Sequence, residues 1–253
     1  MRMPHLLYGL YERRVAAALS SQPLPRHVGV ILDGNRRWAK SFGEPAAHGH
    51  RRGADRIEEF LGWSEELGIE VVTLWMLSTD NLSRGAEELD ALLGIIGDSV
   101  DALSRSRRWR LRVVGRLDLL PEAFAERLRA AQAQTDDVEG LQVNVAIGYG
   151  GRHEIADAVR AFLTERAAAG DSLDEVAAAI DVDHIGQHLY TRGQPDPELV
   201  IRTSGEQRLG GFLLWQSAHS EFYFCEAYWP DFRRVDYLRA LRAYSQRERR
   251  LGR

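Results

Sequence analysis

Cysteine is nearly absent from this sequence: its 253 residues include one, Cys225. A single cysteine excludes an intrachain disulfide framework and any zinc site built from cysteine ligands. Long apolar runs are absent too, since none approaches the roughly 18 residues that cross a bilayer. Residues 1–22 lack the apolar core and the small-residue cleavage site of a signal peptide. We therefore expect a cytoplasmic protein.

Signatures of several common protein classes are also missing. The chain has no G-x-x-x-x-G-K-S/T loop, no G-x-G-x-x-G after the first predicted strand and no G-x-S-x-G elbow. The usual nucleotide-binding and serine hydrolase motifs are therefore excluded. The net charge of −4 argues against a general nucleic-acid binder. Arginines nevertheless cluster beside glycines, which indicates small anionic ligands.

The apolar pattern predicts alternating strands and helices. Strands are predicted over residues 27–32, 69–77, 111–115, 141–147, 199–202 and 221–225, several of them continuous runs of Val, Ile and Leu. Amphipathic helices are predicted over 51–67, 86–103 and 152–168, with another that Pro121 opens and a short one that Ser172 and Glu175 cap. This order predicts an α/β fold, a single doubly wound, mostly parallel sheet of about six strands flanked by helices.

We divide the chain into an amino-terminal helix, residues 1–22, and one large domain, residues 23–253, that carries the chemistry. Apolar residues follow helical spacing in the segment 5–19. This helix could be a flap over a site, a dimer contact or a membrane-surface helix. Because few basic residues flank it, we favour packing against the body, with at most peripheral membrane contact through the helix or a product.

The most informative segment is residues 27–40, H-V-G-V-I-L-D-G-N-R-R-W-A-K. A buried strand delivers Asp33 into a Gly-Asn turn that opens a helix, and Arg36, Arg37 and Lys40 follow. Free backbone N–H groups and the positive end of a helix dipole suit an anion and its metal. An ordinary turn with Asp33 as a helix cap explains the segment equally well.

Polar residues follow other predicted strands as well, at Ser78 to Asn81, Gly148 to Arg152 and Arg202 to Arg208. Ligands of doubly wound sheets bind beyond the carboxyl ends of the strands. We therefore predict that one pocket holds all of these segments together with Asp33.

The residue types in this predicted pocket suit a diphosphate. Gly34 and Asn35 allow close approach of the backbone, and Arg37, Arg202 and Arg208 can supply bidentate guanidinium forks. Asp33 and Glu221 are hard oxygen ligands that could hold Mg²⁺ beside substrate phosphates. For Glu221 taken alone, an ordinary surface carboxylate is the stronger interpretation.

Five ordered segments resemble the cis-prenyltransferases, the family of undecaprenyl diphosphate synthases and of the short-chain Z-farnesyl diphosphate synthases of actinobacteria. They are D-G-N-R-R-W-A-K (33–40), H-G-H-R-R-G (48–53), S-T-D-N-L-S-R (78–84), Y-G-G-R (149–152) and I-R-T-S-G-E-Q-R (201–208). The resemblance extends from His27 to Arg253. Within the family, the chain is most similar to the short-chain actinobacterial members.

The resemblance implies a role for each matching residue. Asp33 is implied as the catalytic aspartate that works with Mg²⁺ on an allylic diphosphate, with Glu221 as the second metal ligand. His50 is implied to assist departure of the diphosphate, and Asn81 to act at the active-site mouth. The substrate-binding set comprises Gly34, Asn35, Arg36, Arg37, Trp38, His50, Ser78, Arg84, Arg202, Arg208, Gly210 and Arg250. Of these, Arg202 and Arg208 are implied to bind isopentenyl diphosphate.

The carboxyl-terminal Arg250-Leu251-Gly252 matches the family's R-x-G ending. In the family this ending reaches the isopentenyl site of the partner subunit. The resemblance therefore implies a homodimer.

Four positions depart from the pattern of long-chain members. Arg36 stands in place of glycine, Ala46 in place of an arginine on the allylic diphosphate, Gly210 in place of serine and Leu82 in place of tryptophan. None of these departures removes a catalytic residue. They leave open what replaces the arginine at Ala46 and what Arg36 does.

The product length is expected to depend on Trp75 and Met76, at the end of the second strand. The family has a large residue here in short-chain enzymes, so Met76 predicts a blocked tunnel and a short product, (2Z,6E)-farnesyl diphosphate from geranyl diphosphate. For Trp75, an ordinary core residue is an equal alternative. Three other interpretations remain: a long-chain polyprenyl diphosphate synthase, a non-catalytic partner subunit and an unrelated phosphate-binding protein. The presence of Asp33 argues against the non-catalytic subunit.

Overall fold

A computed structural model describes residues 12, 14–19 and 22–247 of the chain. Its centre is a six-stranded sheet in the order β3-β4-β2-β1-β5-β6, and every neighbouring pair of strands is parallel. The strands are β1 (His27–Ile31), β2 (Val71–Ser78), β3 (Arg110–Val114), β4 (Gln142–Tyr149), β5 (Leu199–Arg202) and β6 (Glu221–Phe224). The predicted single parallel sheet is thus confirmed.

Helices connect the strands and cover the sheet. They are α1 (Asn35–Ser41), α2 (Ala46–Glu66), α3 (Ala86–Ser106), α4 (Glu122–Ala133), α5 (Gly151–Ala168), α6 (Leu173–Ala179), α7 (Val182–His188) and α8 (Arg234–Ser245). Short 3₁₀ turns lie at Asp80–Ser83, Leu117–Leu119, Gln216–His219 and Trp229–Asp231. The capping box predicted for Ser172 and Glu175 is confirmed at the start of α6.

Two helix starts differ from the sequence prediction. Helix α2 begins at Ala46 rather than at residue 51, because Pro45 in an extended conformation precedes it as the N-cap. Pro121 is likewise the N-cap of α4 rather than its first residue. The pattern also did not single out α7 or α8.

Apolar side chains cover both faces of the sheet, as continuous apolar strands require. On one face, alternate residues of β2 such as Val72 and Leu74 pack in a core with Phe60 of α2 and Leu238 of α8. The other face carries a separate cluster around Phe212. The two faces therefore have different neighbours, which matters for the side chains at the end of β2.

The described part of the amino-terminal segment packs against the body of the protein. Residues 14–19 are helical, and Val15 and Leu19 are buried in the main core. Glu12 pairs with Arg234 of α8 at 3.5 Å. Residues 1–11, 13, 20, 21 and 248–253 lie outside the described residues, so the wider interpretation of 1–22 stays a prediction. In the described part of the chain, no helix combines the length and apolar character needed to cross a membrane.

Two glycines bring α1 and α2 into close contact. A Cβ atom on Gly49 would lie 2.0 Å from the carbonyl oxygen of Asn35, and one on Gly53 would lie 2.3 Å from the Asn35 side-chain oxygen. Both glycines belong to the H-G-H-R-R-G segment. Their role is therefore to let the start of α1 rest on α2.

We predict that Gly49→Ala lowers the free energy of unfolding by about 1–3 kcal/mol, because the new methyl group meets backbone that cannot move aside cheaply. Urea unfolding followed by circular dichroism measures this. The matched control is Gly62→Ala in the same helix, where the nearest atom to a new Cβ is 3.9 Å away. That change should raise stability by up to about 1 kcal/mol. Equal stability of the two variants would contradict the packing argument.

Candidate active site

A cavity of about 950 Å³ opens at the carboxyl edge of the sheet, around the end of β1. The strand order reverses between β1 and β5, which is the point where doubly wound sheets bind ligands. Fourteen of the residues predicted from the sequence line it: Asp33, Gly34, Asn35, Arg36, Arg37, His50, Trp75, Met76, Ser78, Asn81, Arg84, Arg202, Arg208 and Gly210. One pocket therefore gathers most of the predicted site.

Asp33 is fixed by contacts to the strand beside it. Arg202 Nη2 donates a 2.7 Å hydrogen bond to Asp33 Oδ2, and Arg37 Nη2 lies 3.5 Å from Oδ1. The Asp33 amide donates to Thr203 Oγ1 at 2.9 Å, and that hydroxyl donates to the Asp33 carbonyl at 2.7 Å. Partial burial opposes ionisation, but the Arg202 hydrogen bond and charge outweigh it and hold the pKa of Asp33 below its usual value. The carboxylate is therefore ionised at neutral pH.

The turn after Asp33 requires glycine at position 34. Gly34 has φ of 105°, and a Cβ there would lie 2.6 Å from the Tyr228 ring. It is the N-cap of α1, whose first turn carries no acidic residue. The positive end of this helix therefore faces the cavity, with the Asp33 carboxylate beside it.

Arg202 links the Asp33 side of the cavity to the segment that follows β5. The side chain is nearly buried, and its Nη1 donates to the carbonyl of Arg208. Its Nε atom finds no hydrogen-bond partner among the described residues. Arg202 therefore keeps one buried donor that an anionic ligand could satisfy.

Gly210 lines the same side of the cavity. It has φ of +61°, and a Cβ there would lie 3.4 Å from the Trp75 ring. The left-handed backbone favours glycine at this position. The local backbone therefore suits the glycine that stands here in place of serine.

Glu206 joins two of the predicted anion-binding arginines, and sequence reasoning missed it. Its carboxylate accepts from Arg37 Nη1 at 3.1 Å and also from Arg208 Nη1. Its place inside the I-R-T-S-G-E-Q-R segment was the available signal. In the structure it neutralises part of the charge that the two arginines bring.

His50 lies at the mouth of the cavity in its neutral form. Burial, helped by the nearby positive charge of Arg84, lowers its pKa to about 4. Its Nε2 atom has no hydrogen-bond partner in the described part of the protein. We call residues 78–84 the mouth segment. Within it, Arg84 Nη2 donates to Asn81 Oδ1 at 2.8 Å, and this hydrogen bond orients the two side chains.

Apolar side chains line another part of the cavity wall. Ala54 and Ile57 of α2, Leu92 and Ile96 of α3, and Met76 of β2 line it. Met76 packs with the main core on this face of the sheet. We refer to these five residues as the apolar arm.

Trp75 lies on the other face of the sheet, because successive strand residues alternate. Its ring stacks on Phe212 with centroids 5.2 Å apart, in the second apolar cluster. Its Nε1 donates to the carbonyl of Tyr149 at 3.3 Å. Trp75 touches the cavity beside Gly210 and lies away from the apolar arm, so the structure favours the core interpretation over a role in chain length.

Glu221 does not reach Asp33 within this chain. Glu221 pairs with Leu199 of β5, which in turn pairs with Val28 of β1. Asp33 comes five residues after Val28, so it lies roughly 16 Å further along the strand direction than Glu221. The Glu221 carboxylate accepts from Arg247 instead. Glu221 lies at the amino edge of the sheet and Asp33 at the carboxyl edge, so the two cannot share a metal within one chain, and the assignment of Glu221 as a metal ligand stays a prediction.

Other predicted site residues also lie outside the cavity. Trp38 stacks on His48 with centroids 5.7 Å apart, so it packs beside the site. The segment Gly148 to Arg152 is absent from the cavity lining, which corrects the prediction of one pocket for all segments. It supports the wall from behind, since the Gly151 amide donates to the Gly211 carbonyl at 2.8 Å. Arg250 lies outside the described residues.

The donor set fits Mg²⁺ when the ion is shared with a substrate. Within residues 12, 14–19 and 22–247, no group of three or more His, Cys, Asp or Glu side chains is arranged to hold a metal. Mg²⁺ often binds through one or two carboxylates plus substrate phosphates. We call residues 34–37, at the start of α1, the cationic cradle. Asp33 is ionised and lies beside this cradle, so it suits that arrangement.

Known proteins resemble this chain over nearly its full length. The family model described as "Putative undecaprenyl diphosphate synthase" matches residues 31–252. The (2Z,6E)-farnesyl diphosphate synthase of Thermobifida fusca is 60% identical over 253 residues, covering 100% of this chain and 98% of that protein. Isoprenyl transferase 1 of Streptomyces avermitilis is 59% identical over 247 residues, covering 98% of this chain and 96% of that protein.

A solved structure agrees with these relatives. Lavandulyl diphosphate synthase from Lavandula x intermedia, in complex with dimethylallyl diphosphate, matches with a TM-score of 0.84 and 34% identity, covering 91% of this chain and 99% of that chain. The resemblance inferred from the five sequence segments is thus confirmed, and the chain belongs to the cis-prenyltransferase family of isoprenyl transferases.

Proposed function

We propose that this enzyme condenses isopentenyl diphosphate with geranyl diphosphate to give (2Z,6E)-farnesyl diphosphate. The observation that carries the proposal is a single cavity with a cationic end around Asp33 and an apolar arm that contains Met76. The name of the Thermobifida fusca relative supports the same product. A long-chain product would need an arm that continues past Met76.

The allylic diphosphate binds at the start of α1. The Gly34 turn lets phosphate oxygens approach the backbone closely, and Arg37 supplies a guanidinium beside them. Neutral His50 can donate a hydrogen bond to the departing diphosphate. The prenyl chain extends along the apolar arm, which excludes water from the reacting carbon.

Isopentenyl diphosphate binds on the Arg202 side of Asp33. Arg202, Arg208 and the backbone of Gly210 line this part of the cavity and hold the diphosphate group. The two substrates then meet over the end of β1. Holding both in one orientation supplies much of the rate, because no covalent enzyme intermediate is required.

The reaction breaks the allylic C1–O bond, and the isopentenyl double bond supplies the electrons for the new C–C bond. Loss of a proton from isopentenyl C2 then leaves the new cis double bond. Asp33 would hold Mg²⁺ together with phosphate oxygens, and the bound ion supplies positive charge that stabilises the leaving diphosphate. Arg37 places further positive charge where negative charge develops.

We also propose that the enzyme acts as a homodimer in the cytoplasm. The match of Arg250 to Gly252 with the family's R-x-G ending supports the dimer. A contribution of Glu221 to the metal site would have to cross between subunits, because it does not reach Asp33 in its own chain. The single cysteine fits a reducing compartment.

We predict that Asp33→Asn lowers kcat by about 10²–10³-fold, because one preorganised electrostatic group is lost. Incorporation of radiolabelled isopentenyl diphosphate measures the effect. Asp80→Asn is the matched control, since Asp80 is an exposed carboxylate that lines the same cavity. Full activity of Asp33→Asn would overturn the proposed role of Asp33.

We predict that Met76→Ala lengthens the product, because removing the side chain extends the apolar arm. Chromatography of radiolabelled products measures chain length. Trp75→Phe is the control, and it should leave the product unchanged because Trp75 packs on the other face of the sheet. A Met76→Ala enzyme that still stops at the same length would refute the assignment.

We predict that EDTA abolishes condensation but leaves the melting temperature of the substrate-free enzyme unchanged. The reason is that Asp33 binds the ion only together with a substrate diphosphate. Differential scanning fluorimetry with and without EDTA, beside the activity assay, measures both effects. A lower melting temperature in EDTA would indicate a metal site formed by the protein alone.

A further inference from the structure

Glu88 connects two arginines at the mouth of the cavity. Its Oε1 atom accepts from Arg84 Nη1 at 3.1 Å and lies 3.6 Å from Arg36 Nε. Arg36 belongs to the start of α1, Arg84 lies two residues before α3, and both line the cavity. Glu88 thus links the start of α1, through Arg36, to the mouth segment, through Arg84. Neither the sequence motifs nor the proposed mechanism uses it.

The position of Glu88 favours a fixed negative charge. It lies in the first turn of α3, where the helix dipole stabilises anions. Its side chain is 34% exposed and that of Arg84 is 19% exposed, so solvent screens the pair only in part. We call Arg36, Glu88 and Arg84 the mouth cluster.

The two arginines of the mouth cluster repel each other and act on the same neighbour. Burial is the main cause that lowers the pKa of Arg84, and the positive charge of Arg36 lowers it further. Burial also lowers the pKa of His50, and the charges of both arginines add to that effect. Glu88 opposes these effects at both residues. In the substrate-free enzyme, Glu88 is therefore the counter-ion that keeps two cations together beside the half-buried, neutral His50.

A diphosphate in this part of the cavity would bring more negative charge to the same cations. Two anions that share one pair of cations compete, because each is repelled by the other and each gains less from cations already neutralised. We propose that Glu88 competes with the allylic diphosphate for Arg36 and Arg84, and thereby weakens substrate binding and speeds diphosphate release. This inference rests on the proposed function, which places the allylic diphosphate at the start of α1.

The inference gives Arg36 a role that its sequence position left open. Arg36 brings an additional positive charge to the cradle, and its ion pair with Glu88 limits how tightly that charge holds an anion. The ion pair between Glu88 and Arg36 lies at the end of the cavity where the proposed function places the allylic diphosphate. Arg202 and Arg208, which face the isopentenyl end, form their own contacts with Asp33 and Glu206. Glu88 should therefore affect one substrate and leave the other unchanged.

The test compares Glu88→Gln with Glu87→Gln in the full-length enzyme. Both variants remove one negative charge from the first turn of α3, but Glu87 is exposed, whereas Glu88 is the carboxylate that contacts Arg36 and Arg84. Isothermal titration measures binding of geranyl diphosphate alone and of isopentenyl diphosphate alone. We expect Glu88→Gln to tighten geranyl diphosphate binding by about threefold to fivefold, the size of a partly exposed ion pair. Isopentenyl diphosphate binding should be unchanged, and Glu87→Gln should match the unmodified enzyme.

Pre-steady-state turnover and melting temperature complete the test. Slower release of inorganic diphosphate by Glu88→Gln at an unchanged melting temperature would support competition. Weaker geranyl diphosphate binding would show that Glu88 only positions the mouth and would overturn the inference, as would equal tightening in Glu87→Gln. If the unmodified enzyme binds geranyl diphosphate but does not condense it, the proposed function fails separately. If it does not bind geranyl diphosphate, both fail.

Discussion

The ion pair between Asp33 and Arg202 is the interaction on which the site depends. It joins the ends of β1 and β5, where the strand order of the sheet reverses. Arg202 is nearly buried, and removing its partner would leave a guanidinium with little solvent. The pair keeps Asp33 ionised between a cationic cradle on one side and the Arg208 segment on the other. One ionised carboxylate therefore lies between two groups of cationic side chains.

Close backbone packing gives this pair its surroundings. Gly34 turns the chain under Tyr228, and Gly49 and Gly53 let α2 support the start of α1. The arginines are then held by carboxylates, since Glu206 bridges Arg37 and Arg208. The cradle is thus partly neutralised before a substrate arrives.

Much of this arrangement could be predicted from the sequence, because it depends on local patterns. Continuous apolar runs predicted the parallel strands, and the carboxyl-end rule placed Asp33, Ser78 and Arg202 in one pocket. What the sequence left open depends on register and on strand faces. Glu221 begins its strand, whereas Asp33 follows one, so they lie at opposite edges of the sheet. Trp75 and Met76 are neighbours in sequence but face different layers. The bridging roles of Glu88 and Glu206 require contacts between distant segments, which no local motif records.

The central claim is that one cavity holds the allylic diphosphate at the start of α1 and its prenyl chain in the apolar arm. A crystal structure with Mg²⁺ and an unreactive thiolo analogue of geranyl diphosphate tests it most directly. The account predicts diphosphate density beside Gly34 and Arg37, Mg²⁺ between that group and Asp33, and a chain that ends against Met76. A diphosphate found only at Arg202 and Arg208, or a prenyl chain that leaves the cavity away from Met76, would contradict it.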